Sequence, residues 1–79
     1  MASFRVAIEA VAERDLRAVP FPFRRQINIQ LNKLKDDPAP SGSEMVDEGV
    51  MRLTVHGWYV LYDVDEEVGI VTILAITND

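Results

Sequence analysis

The chain has 79 residues, of which 48% are hydrophobic and 27% are charged, a composition ordinary for one small globular domain. It contains no cysteine and one histidine, which excludes a disulfide framework and a thiolate metal site. The net charge of −5 is unevenly distributed: residues 1–35 carry +4, whereas residues 36–79 carry −9. Phosphate binding depends on Lys and Arg, so the second half of the chain disfavours contact with nucleic acid.

The chain shows no targeting or membrane-spanning pattern. Its N-terminus lacks the features of a signal peptide, and no apolar run approaches the length that spans a bilayer. No cluster of carboxylates accompanies His56 to complete a zinc site. We therefore expect a single cytoplasmic domain covering residues 1–79, with no cofactor, no metal and no membrane contact.

The first half of the chain predicts one strand and two helices. Residues 4–8 alternate large with small or polar side chains, as a half-buried strand does. Residues 9–19 show helical spacing of apolar side chains, and Pro20 ends this helix because proline cannot donate the next helical hydrogen bond. A second helix can begin at Pro22 and ends at Asp37. Its apolar face consists of Phe23, Ile27, Leu31 and Leu34. The short break between the helices predicts an antiparallel helical hairpin.

The second half predicts a loop and three strands. Residues 36–43 (DDPAPSGS) have the composition of a loop. The strands cover about 50–56, 58–64 and 70–76, with a tight turn at His56-Gly57 between the first two. This spacing favours a meander. The predicted order is β-α-α-β-β-β, an α+β domain with the helical hairpin packed on one face of the sheet.

Strand alternation assigns side chains to the two faces of the predicted sheet. The face toward the helices carries Phe4, Val6, Ile8, Met51, Leu53, Val55, Trp58, Val60, Tyr62, Leu74 and Ile76. The opposite face carries Arg52, Thr54, His56, Tyr59, Leu61, Asp63, Val71, Ile73 and Ala75. Within this second set, the apolar side chains of Tyr59, Leu61, Val71, Ile73 and Ala75 predict one exposed patch. A soluble monomer rarely leaves such a patch uncovered, so we expect it to bind a partner.

Four segments of the chain, taken in order, carry a family resemblance. They are Phe4-Arg5-Val6, the second helix with Arg24-Arg25 closing on Asp37-Pro38, Met51-Arg52-Leu53-x-Val55 followed by Trp58-x-Val60-Leu61-Tyr62-x-Val64-Asp65, and Val71-Thr72-Ile73-Leu74. Together they resemble the RelE/ParE toxin superfamily of bacterial toxin–antitoxin and plasmid-stabilisation modules. The resemblance implies an antiparallel sheet with the first strand beside the last. It also implies a cognate antitoxin that wraps around the toxin.

The resemblance also locates the positions that an mRNA-cleaving member would need. Such members attack with the 2′-hydroxyl of the RNA, and basic residues neutralise the phosphate in the transition state. In this chain the early basic positions fall within residues 43–48 (SEMVDE), where acids replace lysines. The later ones fall at Tyr59, Ala75, Asn78 and Asp79. Arg52 alone keeps its charge and is the one candidate catalytic residue. This pattern argues against enzymatic activity and predicts a degenerate nuclease.

Other chemistry-bearing side chains receive structural interpretations. His56 has no evident partner at the tip of a hairpin, so we interpret it as a turn residue rather than a proton carrier. Arg24 and Arg25 are interpreted as solvated charges on the outer face of a helix. The acidic run at residues 65–67 matches no calcium-loop spacing and is interpreted as a solvated turn.

Three functions from different classes remain open. In the first, the protein acts by binding an antitoxin-like protein or a second copy of itself. Its partner-binding residues are Arg52, Tyr59, Leu61, Val71, Ile73 and Ala75 on the open sheet face. In the second it is an active ribosome-dependent mRNA endonuclease, and in the third a ParE-like gyrase inhibitor. The loss of basic residues argues against the second function, and the acidic second half argues against nucleic acid or the ribosome as a partner.

Overall fold

The computed structural model describes residues 3–78, which form one sheet and a helical hairpin. The strands follow one another in the sheet as β1-β5-β4-β3-β2. In chain order the elements are β1 (Arg5–Ile8), α1 (Ala10–Ala18), α2 (Phe21–Lys33), β2 (Ser43–Asp47), β3 (Val50–Val55), β4 (Trp58–Asp65) and β5 (Ile70–Thr77). The α+β class, the two helices and the placement of the first strand beside the last are confirmed.

The sheet differs from the prediction in two ways. β1 runs parallel to β5, with Val6 beside Val71, so the sheet is mixed rather than wholly antiparallel. In addition, residues 43–47 form an edge strand, β2, which pairs antiparallel with β3. This strand is short, exposed along most of its length and interrupted by a bulge after Met45. It therefore lacks the alternating apolar pattern by which a sequence reveals a strand.

The helical hairpin packs on one face of the sheet and closes a single core. The buried residues are Ala12, Val19, Ile27, Leu31, Leu34, Leu53, Val55, Val60, Tyr62, Val71, Ile73 and Ile76. The predicted burial of Leu31 and Leu34 is confirmed. Phe23 was predicted to share this face, but its side chain is 40% exposed. It lies in the first turn of α2, ahead of the buried residues Ile27 and Leu31.

A bulge in β5 reverses the alternation of the last strand. Tyr62 pairs with Ile73 and Leu61 pairs with Ala75, which leaves Leu74 as an extra residue between them. Val71 and Ile73 are consequently fully buried against the helices, whereas Leu74 is only partly buried and lies outside the core cluster. The assignment of Val71 and Ile73 to the open face, and of Leu74 to the core, was therefore wrong. A shift of one residue exchanges the two faces of a strand.

Side-chain hydrogen bonds join the helices and the connecting loop to the sheet. Asp15 in α1 accepts a hydrogen bond from the backbone N–H of Ile76, with 3.1 Å between Oδ2 and N. The Tyr62 hydroxyl donates to the carbonyl oxygen of Pro38 at 2.7 Å. These contacts hold α1 against β5 and the segment before β2 against β4. Within residues 3–78, neither helix is long and apolar enough to span a membrane.

The predicted tight turn between β3 and β4 is confirmed. His56 and Gly57 have φ angles of 50° and 84°, and two positive φ angles are what a two-residue type I′ turn requires. The turn sets the β3–β4 register, in which Arg52 pairs with Leu61 and Thr54 pairs with Tyr59. This register decides which side chains meet on the open face.

Candidate functional site on the open sheet face

The sheet face that the helices leave uncovered carries a row of side chains from four strands. Glu44 pairs with Arg52, Arg52 with Leu61, and Leu61 with Ala75. Directly paired residues share a face of the sheet, so these four side chains form one line from β2 to β5. Tyr59 lies in the neighbouring row, paired with Thr54 and Thr77. We call Arg52, Tyr59, Leu61 and Ala75 the open-face cluster.

Arg52 is the central polar group of this cluster. Its guanidinium forms an ion pair with the carboxylate of Glu44, and its Cζ atom lies 5.2 Å from the centroid of the Tyr59 ring. A cation over an aromatic face gains a modest electrostatic attraction. The positive charge of Arg52 is therefore already opposed by one carboxylate and one π-system before any ligand arrives.

One buried donor of Arg52, the Nε–H, has no hydrogen-bond partner among the described residues. The side chain as a whole is still 43% exposed, so the guanidinium borders solvent rather than lying within the core. An unpaired buried donor costs free energy, and an acceptor can reach this one only if the Arg52 side chain moves.

The open-face cluster surrounds a shallow depression together with Thr77. Its volume is about 140 Å³, below the roughly 300–1,000 Å³ typical of small-molecule pockets. A depression of this size accommodates one protruding side chain rather than a whole substrate or cofactor. Within residues 3–78, no group of three or more potential ligands lies close enough to hold a metal ion.

The structure brings together four of the six residues predicted to bind a partner. Arg52, Tyr59, Leu61 and Ala75 lie side by side, whereas Val71 and Ile73 belong to the core. The exposed patch is consequently smaller and less apolar than predicted. Sequence reasoning missed Glu44, because β2 was not recognised as a strand. An acid that can lie opposite Arg52 in a hairpin was the available signal.

The remaining predicted positions fall at the edges of this face. Asn78 follows the end of β5 and is exposed, and Asp79 lies outside the described residues. His56 lies in the β3–β4 turn with no side-chain hydrogen bond among the described residues. Arg52, the one candidate catalytic residue, points to the open face and borders solvent.

The chain shares the fold of the RelE toxins, as the sequence resemblance implied, although the sheet is mixed rather than wholly antiparallel. No protein-family model and no curated protein matches the chain. Among solved structures, it is similar to the toxin–antitoxin complex RelBE2 from Mycobacterium tuberculosis (TM-score 0.84, 21% identity, covering 99% of this chain and 100% of that one). It is also similar to the RelE–RelB complex from Pyrococcus horikoshii OT3, with a TM-score of 0.83 and 18% identity, covering 96% of this chain and 94% of that one. The isolated E. coli RelE toxin is similar with a TM-score of 0.82 and 16% identity, and the match covers 98% of this chain and 84% of that one.

Proposed function

We propose that this protein is the toxin-like component of a bacterial toxin–antitoxin module and acts by binding a protein through the open-face cluster. The observation that carries the proposal is the composition of that face. Its one guanidinium is paired with Glu44 and stacked on Tyr59, and its neighbours along the row are Leu61 and Ala75. The RelE structures of the same fold include complexes with RelB antitoxins, which supports an antitoxin-like protein as the partner.

The chemistry of the cluster favours protein over RNA as its ligand. Phosphate binding needs uncompensated Lys or Arg, and the charge of Arg52 is compensated by Glu44. Aromatic residues and Arg are enriched in the cores of protein–protein interfaces, and Tyr and Arg recur among the residues that dominate binding energy. Tyr59 and Arg52 supply both types within one contact.

Substitution of Leu61 tests this proposal, with the product of the adjacent reading frame as the candidate partner. Leu61 lies between Arg52 and Ala75 in the row, so Leu61→Glu and Leu61→Lys each place a charge in the centre of the contact. We expect both variants to weaken binding at least about tenfold, equivalent to about 1.4 kcal/mol, because a charge must be desolvated on association. The measurement is isothermal titration calorimetry with each purified variant.

Two comparisons make the experiment decisive. Val11→Glu introduces the same charge at an exposed apolar residue of α1, away from the open face, and should leave the affinity unchanged. The two signs at Leu61 separate the ligand classes: protein binding falls in both variants, whereas RNA binding would fall with Glu and rise with Lys. Unchanged affinity in both Leu61 variants, with circular dichroism of a folded domain, would refute the proposed contact.

A second candidate function is ribosome-dependent mRNA cleavage, and one observation favours it. Arg52 borders solvent on the open face and can reach a ligand there. For this activity a phosphate would have to displace Glu44 from the guanidinium, since both anions need the same donors. Cleavage would therefore depend on Arg52 and increase in Glu44→Gln, which removes the competing charge.

A further inference from the structure

An acidic groove lies at the end of the sheet where the β2–β3 and β4–β5 turns meet. Its apolar part includes the side chains of Met45 and Met51, and Met45 is 69% exposed. Its acidic part consists of Asp63, Asp65, Glu66 and Glu67, and among residues 3–78 no Lys or Arg lines it. The cavity measures about 500 Å³, and methionine side chains adapt readily to an incoming surface. This acidic groove suits a ligand that is both apolar and cationic.

The outer face of α2 has the complementary chemistry. Phe21, Arg24, Arg25, Asn28, Ile29 and Asn32 border one shallow surface and recur at the spacing of a single helical stripe. We call these residues the basic stripe. Phe21 is 65% exposed and Ile29 is 41% exposed, and α2 contains no Asp or Glu. The stripe is separate from the buried face of the same helix. Apolar anchors at such spacing are how an amphipathic helix docks in a groove.

We propose that the protein associates with itself head to tail, with the basic stripe of one copy docked in the acidic groove of the next. Every copy carries both surfaces, and each supplies the charge and the apolar groups that the other lacks. The acids of the groove would meet Arg24 and Arg25, while Phe21 and Ile29 would contact the methionines. The contact does not involve the open-face cluster and does not depend on the proposed toxin-like function.

The geometry determines the kind of assembly. The two surfaces are different, so the contact is heterologous and extends into rings or open chains rather than closing a two-fold dimer. The basic stripe has six residues, whereas a stable interface has about 20–30 residues a side. The assembly is therefore reversible and forms as the protein concentration rises. Its charged contacts are screened by salt, which shortens the range of electrostatic attraction.

Sedimentation velocity of the full chain tests the proposal. The sedimentation coefficient should rise from micromolar to millimolar concentration at low salt, and association should be at least about tenfold weaker at about 0.5 M salt. Arg24→Glu/Arg25→Glu should remain monomeric, because acids then face acids across the contact. Glu66→Lys/Glu67→Lys should associate more weakly than the wild type, because the groove loses its net negative charge. The variant with all four substitutions has the wild-type net charge and sets two lysines of the groove opposite two glutamates of the stripe, so it should associate more strongly than Arg24→Glu/Arg25→Glu.

Matched variants control for the change in net charge. Lys33→Glu/Lys35→Glu lies outside the basic stripe, and Glu9→Lys/Glu13→Lys lies outside the acidic groove, so both should associate like the wild type. Circular dichroism establishes that every variant is folded. The proposal is overturned if the wild type is monomeric throughout the concentration range. It is also overturned if the fourfold variant associates no more strongly than Arg24→Glu/Arg25→Glu, or if the control variants lose association as completely as the double variants.

Discussion

Tyr62 connects the core of the sheet to the loop that precedes β2. Its side chain is buried among the core residues, and its hydroxyl reaches the carbonyl oxygen of Pro38. Burial raises the pKa of Tyr62 above its usual value of 10.0, a hydrogen bond with Ser43 opposes this change, and the charge of Asp37 adds to it. The folded state thus favours the protonated phenol, because the phenolate would lose hydration and face a carboxylate.

The loss of stability at alkaline pH should reflect the ionisation of Tyr62. Since the pKa of Tyr62 is higher in the folded than in the unfolded state, its contribution is complete below about pH 10 and is lost as the pH rises through the raised pKa. Tyr62→Phe should cost about 0.5–1.5 kcal/mol at pH 7 through the lost hydrogen bond, and should show a smaller alkaline loss than the wild type. Urea unfolding at pH 7 and above about pH 10 measures the free energy of unfolding of the wild type and the variant. The control Tyr59→Phe leaves Tyr62 in place and should lose as much stability at alkaline pH as the wild type does. If the stability of Tyr62→Phe depended on pH as that of the wild type does, the alkaline loss would not come from Tyr62.

At the scale of elements, α2 has one face buried against the sheet and one face exposed to solvent. Ile27 and Leu31 are buried against the sheet, and Leu34 directly after the helix completes this contact. On the outer side, Phe21 and Ile29 remain exposed beside two arginines. One helix thereby contributes to the core while presenting a cationic, partly apolar surface to solvent. Mutations on its two sides should differ sharply in their effect on folding.

Paired alanine substitutions in α2 measure that difference. Leu31 is 4% exposed, so Leu31→Ala should lower the free energy of unfolding by about 2–5 kcal/mol, through lost burial and the cavity left behind. Such a loss is a large part of the total stability of a small domain. Ile29→Ala on the exposed side should cost less than about 1 kcal/mol. Urea denaturation of both variants provides the comparison, and similar losses in the two would mean that the helix is rotated from the position described.

At the scale of the whole molecule, charge is segregated by sequence and by surface. Residues 36–79 carry a net charge of −9, and Arg52 is the only base among them. These residues supply β2 to β5, and hence most of the sheet, while the two helices come from the basic half of the chain. The field over the open face is therefore unfavourable to a polyanion, even where a guanidinium is exposed.

This charge distribution predicts no detectable mRNA cleavage by the protein. Expression in a bacterium without an antitoxin should leave growth and transcript ends nearly unchanged, because too little positive charge remains to hold the scissile phosphate. Sequencing of transcript 5′ ends after induction measures this directly. Codon-specific cuts that persist in Arg14→Ala, an exposed control on α1, but disappear in Arg52→Ala would contradict the prediction and make Arg52 a catalytic residue.

The features that the sequence determines by itself are those encoded by neighbouring residues. The spacing of Ile27, Leu31 and Leu34 predicts the buried face of the second helix because a helix repeats every 3.6 residues. His56-Gly57 predicts its turn because the backbone there needs two positive φ angles. The alternation along β3 and β4 correctly separates Arg52 and Tyr59 from the core. The segregation of charge follows from composition alone.

Other features depend on contacts between segments distant in the chain, and only the tertiary structure decides them. Leu74 is a bulge residue in the pairing of β5 with β4, and the resulting shift buries Val71 and Ile73, which pair with β1 on the other side. Glu44 meets Arg52 because β3 pairs with a short edge strand that has no apolar pattern of its own. Strand register is a property of the pair rather than of either sequence, and a slip of one residue exchanges the faces. The side chains that surround Arg52 therefore depend on how the strands pair in the folded sheet.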